Sequence, residues 1–321
     1  MKRILVILLA LIIAATSFVS CNQEEPHTHA VSQTVEAKEA TCAEKGNIKY
    51  YKCSCGKLFS DEACTKEIAL ADTVIEVTDE HTFDDEVAEW VRVDDKDVYL
   101  TVCTVCHNAH GDAATVEVGT QGPAGGVIFY INPNAEEDGW TYMETAPGVL
   151  GKNALNEVGV GPGYTKATFQ FGAYFADVEG EAGAAGITAS EVKKGKSNTE
   201  SHVEKMTGHA SSSSTEYVAM TDFLAKIVSD LSITVNDVTY DDWFIPSANE
   251  AKFFMNTTPS IGEALGLYKG DDPAKNSDRI WSSSERDTGT NKLKMRTWPL
   301  GGAQGAMDRC ESYYCVPVRQ F

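Results

Sequence analysis

Asp242-Trp243-Phe244-Ile245-Pro246-Ser247-Ala248-Asn249-Glu250, read with Ile280-Trp281-Ser282-Ser283-Ser284-Glu285, decides how the rest of the chain is organised. The first stretch is a short apolar run ended by Pro246, a residue suited to opening a helix. Ser247 is placed to cap that helix, and Glu250, three residues on, completes a capping box. Ala251, Phe254 and Met255 then share one face of the helix. The second stretch reads as a strand whose three serines satisfy backbone groups at a crowded turn. Neither stretch pairs a nucleophile with a base or supplies a metal triad. Both read as scaffold.

Working upstream, Gly125-Gly126-Val127-Ile128-Phe129-Tyr130-Ile131 predicts a strand buried on one face, and Gly139-Trp140-Thr141-Tyr142-Met143-Glu144 its hairpin partner. Gly119 to Gly126, with Pro123, marks the boundary into this large domain. Gly195-Lys196-Ser197-Asn198-Thr199 lies in a polar stretch with His202 and His209, which have no carboxylate at ligand spacing and read as surface residues. Thr221 to Ile233 predicts an amphipathic helix with Phe223, Leu224, Ile227, Val228 and Leu231 on its apolar face, packed opposite the Ser247 helix. Downstream, Arg286, Asp287, Asn291, Arg296, Trp298, Asp308, Arg309, Tyr313 and Tyr314 concentrate the residue types that dominate binding surfaces. No Ser-His-Asp or paired-carboxylate pattern stands out along the chain.

The amino-terminal half has a different chemistry. Lys2-Arg3, the apolar run Ile4 to Thr16 and Ser17-Phe18-Val19-Ser20-Cys21 form an export signal too short to span a membrane comfortably. Cys21 after a small residue resembles the lipidation site of bacterial, and with Phe18 of spirochaete, lipoproteins. That resemblance implies residues 1–21 as signal, Cys21 acylated, and an outer-membrane or cell-surface location through a lipid anchor. Removing Cys21 from the nine cysteines leaves eight, an even number in an exported chain, so disulfides compete with metal at every site.

Two small modules follow, over residues 22–78 and 79–118. The first carries His29, Cys42, Cys53, Cys55 and Cys64; the second carries His81, Cys103, Cys106 and His110. Each opens on a His-Thr pair, as diverged repeats would. Too short for a generous core, they require a covalent or metal staple. The expected ligands are His29, Cys42, Cys53 and Cys55 in the first module and Cys103, Cys106, His81 and His110 in the second, a thiolate and imidazole set that suits closed structural zinc. A Cys-x-x-Cys-His haem attachment also matches Cys103 to His107 by pattern. The formal net charge of −20 argues against nucleic acid and anionic lipid as partners.

The ordered motifs of residues 119–321 carry a family resemblance. Gly122 to Pro133, Gly139 to Glu144 with Ala146-Pro147, Asp242 to Glu250, Trp281 to Glu285 and Val316-Pro317-Val318-Arg319-Gln320-Phe321 together resemble the C-terminal domains of the Legionella collagen-like type. Those are similar to the Fib-succ major paralogous domains and to the formylglycine-generating-enzyme group. The resemblance implies an α+β chain: a C-type-lectin-like domain over 119–321, preceded by two β-rich zinc-ribbon-like modules. It also implies a surface adhesin that binds an extracellular protein or glycan. In similar proteins diversified by retroelements, the Treponema variable protein among them, ligand contacts fall where Arg286 to Tyr314 lie here. The competing implication is a copper-dependent oxidase using Cys310 and Cys315, which have the family's spacing but which in an exported chain also suit a disulfide.

Overall fold

The computed structural model describes residues 28–175, 182–183, 189–256, 260–269, 278–286 and 294–321; Cys21 and the stretch expected to be an export signal lie outside them. The chain is mixed, with many small antiparallel sheets and few, short helices. Among the described residues no helix is long and apolar enough to cross a membrane. Two compact units emerge: one runs to Phe83 and takes back Cys103–Ala109, the other holds Asp84–Val102 and His110–Phe321.

In the first unit, strands Val31–Val35, Tyr50–Cys53, Leu58–Phe59 and Glu67–Ile68 form a four-stranded antiparallel sheet in that order. Gly46–Asn47 pairs separately with Val74–Ile75. The apolar core is small: Cys53, Phe59 and Cys64, with Tyr51 packed against them. Burial on that scale does not offset the entropy of ordering the segment, so the unit depends on something besides hydrophobic contact.

The second unit is built around the two quoted stretches. Trp243 and Ile245 enter one core with Trp281, Phe169, Phe171, Phe223 and Leu224, while Phe244 enters another with Ile280, Phe129, Phe254 and Trp298. Successive side chains of an extended segment point to opposite faces. Trp243/Phe244 and Ile280/Trp281 therefore make one wall shared by two cores. Strand Arg279–Glu285 leads the antiparallel sheet completed by Lys294–Pro299 and Gly305–Asp308. Ile128–Ile131, Tyr142–Thr145 and Val318–Gln320 form a second sheet, and Phe244 bridges to Val318 by two backbone hydrogen bonds.

The capping box is present in both directions. Ser247 N–H donates to Glu250 at 2.7 Å, and Glu250 N–H donates to Ser247 Oγ at 3.3 Å. The helix Ala248–Asn256 follows, burying Ala251, Phe254 and Met255 as its spacing predicts. The Glu250 carboxylate also receives the N–H groups of Lys193 and Gly195, at 2.7 and 3.2 Å. A Cβ at Gly195 would stand 2.2 Å from that carboxylate and 2.9 Å from the Ile245 carbonyl, so only glycine fits there.

Two expectations change. The helix expected over Thr221–Ile233 covers only Leu224–Ser229, because Phe223 is extended and Ile233 is drawn into a hairpin with Val238–Tyr240. Asn236 and Asp237 turn that hairpin with φ of 48° and 63°, the left-handed pair that a two-residue turn requires. Its apolar face does pack away from the Ser247 helix, in the other core.

His202, expected at the surface, is fully buried on the helix Gly195–Met206. Its Nε2 bonds the Ser283 carbonyl at 2.9 Å and its ring packs edge-on against Phe171. Burial, with the nearby Arg309 charge, pushes its pKa down to about 3. The folded state therefore binds the proton more weakly than the unfolded chain, and stability falls as pH drops from about 6.5 towards 3. By pH 5 this one group should cost about 2 kcal/mol. Urea titrations at pH 7 and pH 5 should show a loss smaller by that amount in His202→Gln than in the unsubstituted protein. Equal losses would show that His202 is not the titrating group.

Candidate functional site

The turn after strand Lys96–Cys103 folds back on itself: His107 N–H donates to the Cys103 carbonyl, and Cys103 N–H to the Ala109 carbonyl. This brings Cys103 and Cys106 to one side. Thr104 N–H donates to the Thr82 carbonyl, which draws in the neighbouring His81. The fourth member comes from far upstream. Thr41 Oγ1 accepts the N–H groups of Ala43 and Glu44, a tight turn that presents Cys42. One ligand atom from each of Cys42, His81, Cys103 and Cys106 lies within 4.8 Å of every other.

The individual separations fit a metal. Bonds of about 2.3 Å to sulfur and about 2.05 Å to nitrogen give a tetrahedron S···S edges of about 3.8 Å and S···N edges of about 3.5 Å. Here Cys42 and Cys103 sulfurs are 3.6 Å apart, and Cys106 Sγ lies 3.5 Å from His81 Nδ1. Electrostatics point the same way. The Cys106 N–H, followed by those of Val105 and Thr82 and the His81 ring, holds the Cys103 thiol down at about 5, while burial and the neighbouring thiols push Cys42 up to about 11. The Asn108 N–H lowers Cys106, and the bond to Cys103 raises His81. A divalent cation among these groups would neutralise the repulsion that opposes a second thiolate.

A second group joins His29, Cys53 and Cys55. Gly56, at φ 90°, makes the turn that lets Cys53 and Cys55 face one point with a single residue between them. Cys55 Sγ lies 3.5 Å from His29 Nδ1, and the His29 ring packs on Phe59. Cys64 is buried beside Cys53 in the small core. Both groups have the donors to hold a metal ion.

The membership corrects the sequence expectation. Cys42 joins the His81, Cys103 and Cys106 group rather than His29, Cys53 and Cys55. His110 lies outside both groups; it is exposed on the strand His110–Ala113, paired with Val102.

The expected ligand-contacting residues are distributed unevenly. Arg286 is exposed, and Asp287 and Asn291 lie outside the described residues. Arg296, half-buried, donates to Gln304 Oε1 at 2.9 Å. Asp308 accepts the Cys310 N–H, and Tyr313 donates its hydroxyl to Glu311 while its ring meets Trp281 edge-on. Tyr314 lies under the Lys166 ammonium, 4.9 Å from its ring centre. Trp298 is corrected: at 8% exposure it is a core residue, on a strand whose inner face fills the Phe254 core. Arg309, expected in the same exposed stretch, is instead fully buried and paired with Glu285 at 2.8 Å.

Cys310 and Cys315 stand as free thiols. Cys315 is buried among apolar core residues and its thiol is pushed far up by burial; Cys310 is half-buried and pushed up to about 11, chiefly by burial. Compared with known proteins, the chain matches no family model, no curated protein and no solved structure.

Proposed function

We propose that this chain is a lipid-anchored protein of the bacterial outer surface, held at Cys21, whose residues 119–321 form a C-type-lectin-like domain that binds an extracellular protein or glycan. The two Cys/His groups hold structural zinc in the preceding segment. The observation that carries the reading is the way the shared motifs are consumed as scaffold. Gly195, Asn198 and Thr199, Ser247 and Glu250, and Ser282 to Ser284 hydrogen-bond to one another or to backbone, and all are buried. Among the described residues between Glu285 and Val316, those left accessible include exposed Arg286 with half-exposed Arg296, Asp308, Tyr313 and Tyr314, a set suited to recognition. Diversification of that region by a retroelement belongs to the same proposal.

Zinc is favoured because soft thiolates and imidazole in tetrahedral spacing suit it better than harder cations. The copper-oxidase reading is weaker, since it needs two thiolates presented to one metal, and burial disfavours ionisation of both Cys310 and Cys315. To test the binder, full-length protein on fluorescent vesicles is applied to an array of extracellular-matrix proteins and glycans. Saturable binding lost on combining Arg286→Ala with Tyr314→Ala supports the reading. Copper-dependent oxygen uptake with a cysteine peptide, and no array signal, would replace it with the oxidase.

A further inference from the structure

The hairpin of Phe83–Val93 and Lys96–Cys103 turns at Asp94 and Asp95, both at positive φ. Within the second unit its side chains wall a cavity of about 350 Å³ with Gln121, Gly122, Pro123 and the Val235–Tyr240 hairpin. That volume lies at the small end of the range for small-ligand sites, about 300–1,000 Å³.

One wall is aromatic. The rings of Trp90 and Tyr99 lie 5.0 Å apart, and Tyr240 also lines the space. Trp90 Nε1 donates to the Gln121 carbonyl at 2.7 Å, and its ring packs edge-on against Tyr142 and Phe321. The indole N–H is thus already used and the ring is fixed, leaving apolar surface on offer.

The opposite character comes from Asp97, whose side chain is only 4% exposed. It receives Arg92 at 3.0 Å and the Tyr240 hydroxyl at 3.4 Å, with Arg319 3.8 Å away. Arg319 is itself held by Glu144 at 2.8 Å and Asp242 at 2.7 Å, and stacks on Tyr240 and Phe321. The polar wall is therefore pre-organised, and little ordering remains to be done when a ligand arrives.

Capacity is left over on both charged groups facing the cavity. A carboxylate offers about four acceptor sites and a guanidinium five donors. Arg92 keeps 39% of its side chain in solvent while holding Asp97. Adjacent hydroxyls on one ligand can donate to Asp97 and accept from Arg92 at once. Charge selects the ligand further: Glu89 and Asp97 against Arg92 leave the lining slightly acidic, which disfavours phosphates and carboxylates.

We propose that this cavity binds a neutral saccharide, with the C–H face of a pyranose ring laid on the Trp90–Tyr99 wall and neighbouring hydroxyls shared between Asp97 and Arg92. The site is separate from the Arg286–Tyr314 strands and does not depend on them. It gives the protein a second recognition surface of defined ligand chemistry.

The test is saturation-transfer NMR and tryptophan fluorescence on the detergent-solubilised full chain. The probes are glucose, galactose, mannose, N-acetylglucosamine and their β1,4-linked disaccharides, with inorganic phosphate as the anionic control. Saturable binding by at least one sugar is expected. Arg92→Ala should weaken it at least tenfold with an unchanged melting temperature, because Arg319 and Tyr240 still satisfy Asp97. Arg286→Ala should leave it unchanged, which separates this site from the proposed adhesive face. Absence of binding across the panel, binding of phosphate in place of sugar, or sugar binding lost with Arg286→Ala and kept with Arg92→Ala would each overturn the proposal.

Discussion

Native mass spectrometry of the full chain is expected to show two bound zinc ions, and Cys103→Ser, by unfolding the first unit that carries both groups, is expected to release both. The weakest part of that unit is its apolar core. An apolar cluster of Cys53, Phe59 and Cys64 cannot hold a four-stranded sheet and its loops against the entropy of the open chain. The Cys42 group closes a loop from residue 42 to residue 103, and long loops are those whose closure a metal clip stabilises most. Metal binding energy then becomes folding energy, and a chelator should unfold the unit as effectively as the substitution. Cys310→Ser serves as the control and should keep both ions. A metal-free protein with its thiols oxidised would instead make disulfides the staple.

The second large effect belongs to Arg309. Its side chain is fully buried, and Nη2 donates to Glu285 at 2.8 Å across the sheet that carries the Trp281 wall. Replacing it with leucine takes the Arg309 charge away from the buried Glu285 carboxylate. Breaking a buried pair from one side costs about 3–5 kcal/mol. Urea unfolding should report that loss for Arg309→Leu. The double variant Arg309→Leu with Glu285→Leu should recover much of it, since no orphan charge remains. If the double variant is less stable than the single one, the pair acts mainly through packing.

These two sites show where sequence reading succeeds and where it stops. The Ser247–Glu250 box is a local rule, its two members three positions apart, and it formed as written. The apolar face of the Ala248–Asn256 helix was legible for the same reason. Cysteines and histidines announced a metal chemistry, but not the membership of each group. Cys42 sits near Cys53 in sequence and near Cys103 in space, and spacing alone carries no information about the return path of a chain.

Burial of His202 was missed because the Gly195–Met206 helix is polar overall. Its inward face is nevertheless marked by Gly195, Asn198, Thr199, His202 and Met206 at three- and four-residue intervals. A polar helix can turn that face inward when backbone carbonyls wait there, here those of Ala189, Ile245 and Ser283. Arg309 was read as part of an irregular surface stretch for a related reason. An arginine in sequence suggests solvent, and a partner 24 positions away, Glu285, helps make its burial tolerable.

The pairing of Val318–Gln320 has a bearing on how the polypeptide is made. That segment hydrogen-bonds to Met143–Thr145 on one side and exchanges two bonds with Phe244 on the other, and Arg319 reaches Glu144 and Asp242. A ribosome delivers residue 143 long before residue 318. Until the later residues emerge, the Met143 strand has an empty edge and Glu144 has no cation. That edge of the second unit is thus completed only when the last residues of the chain have been made.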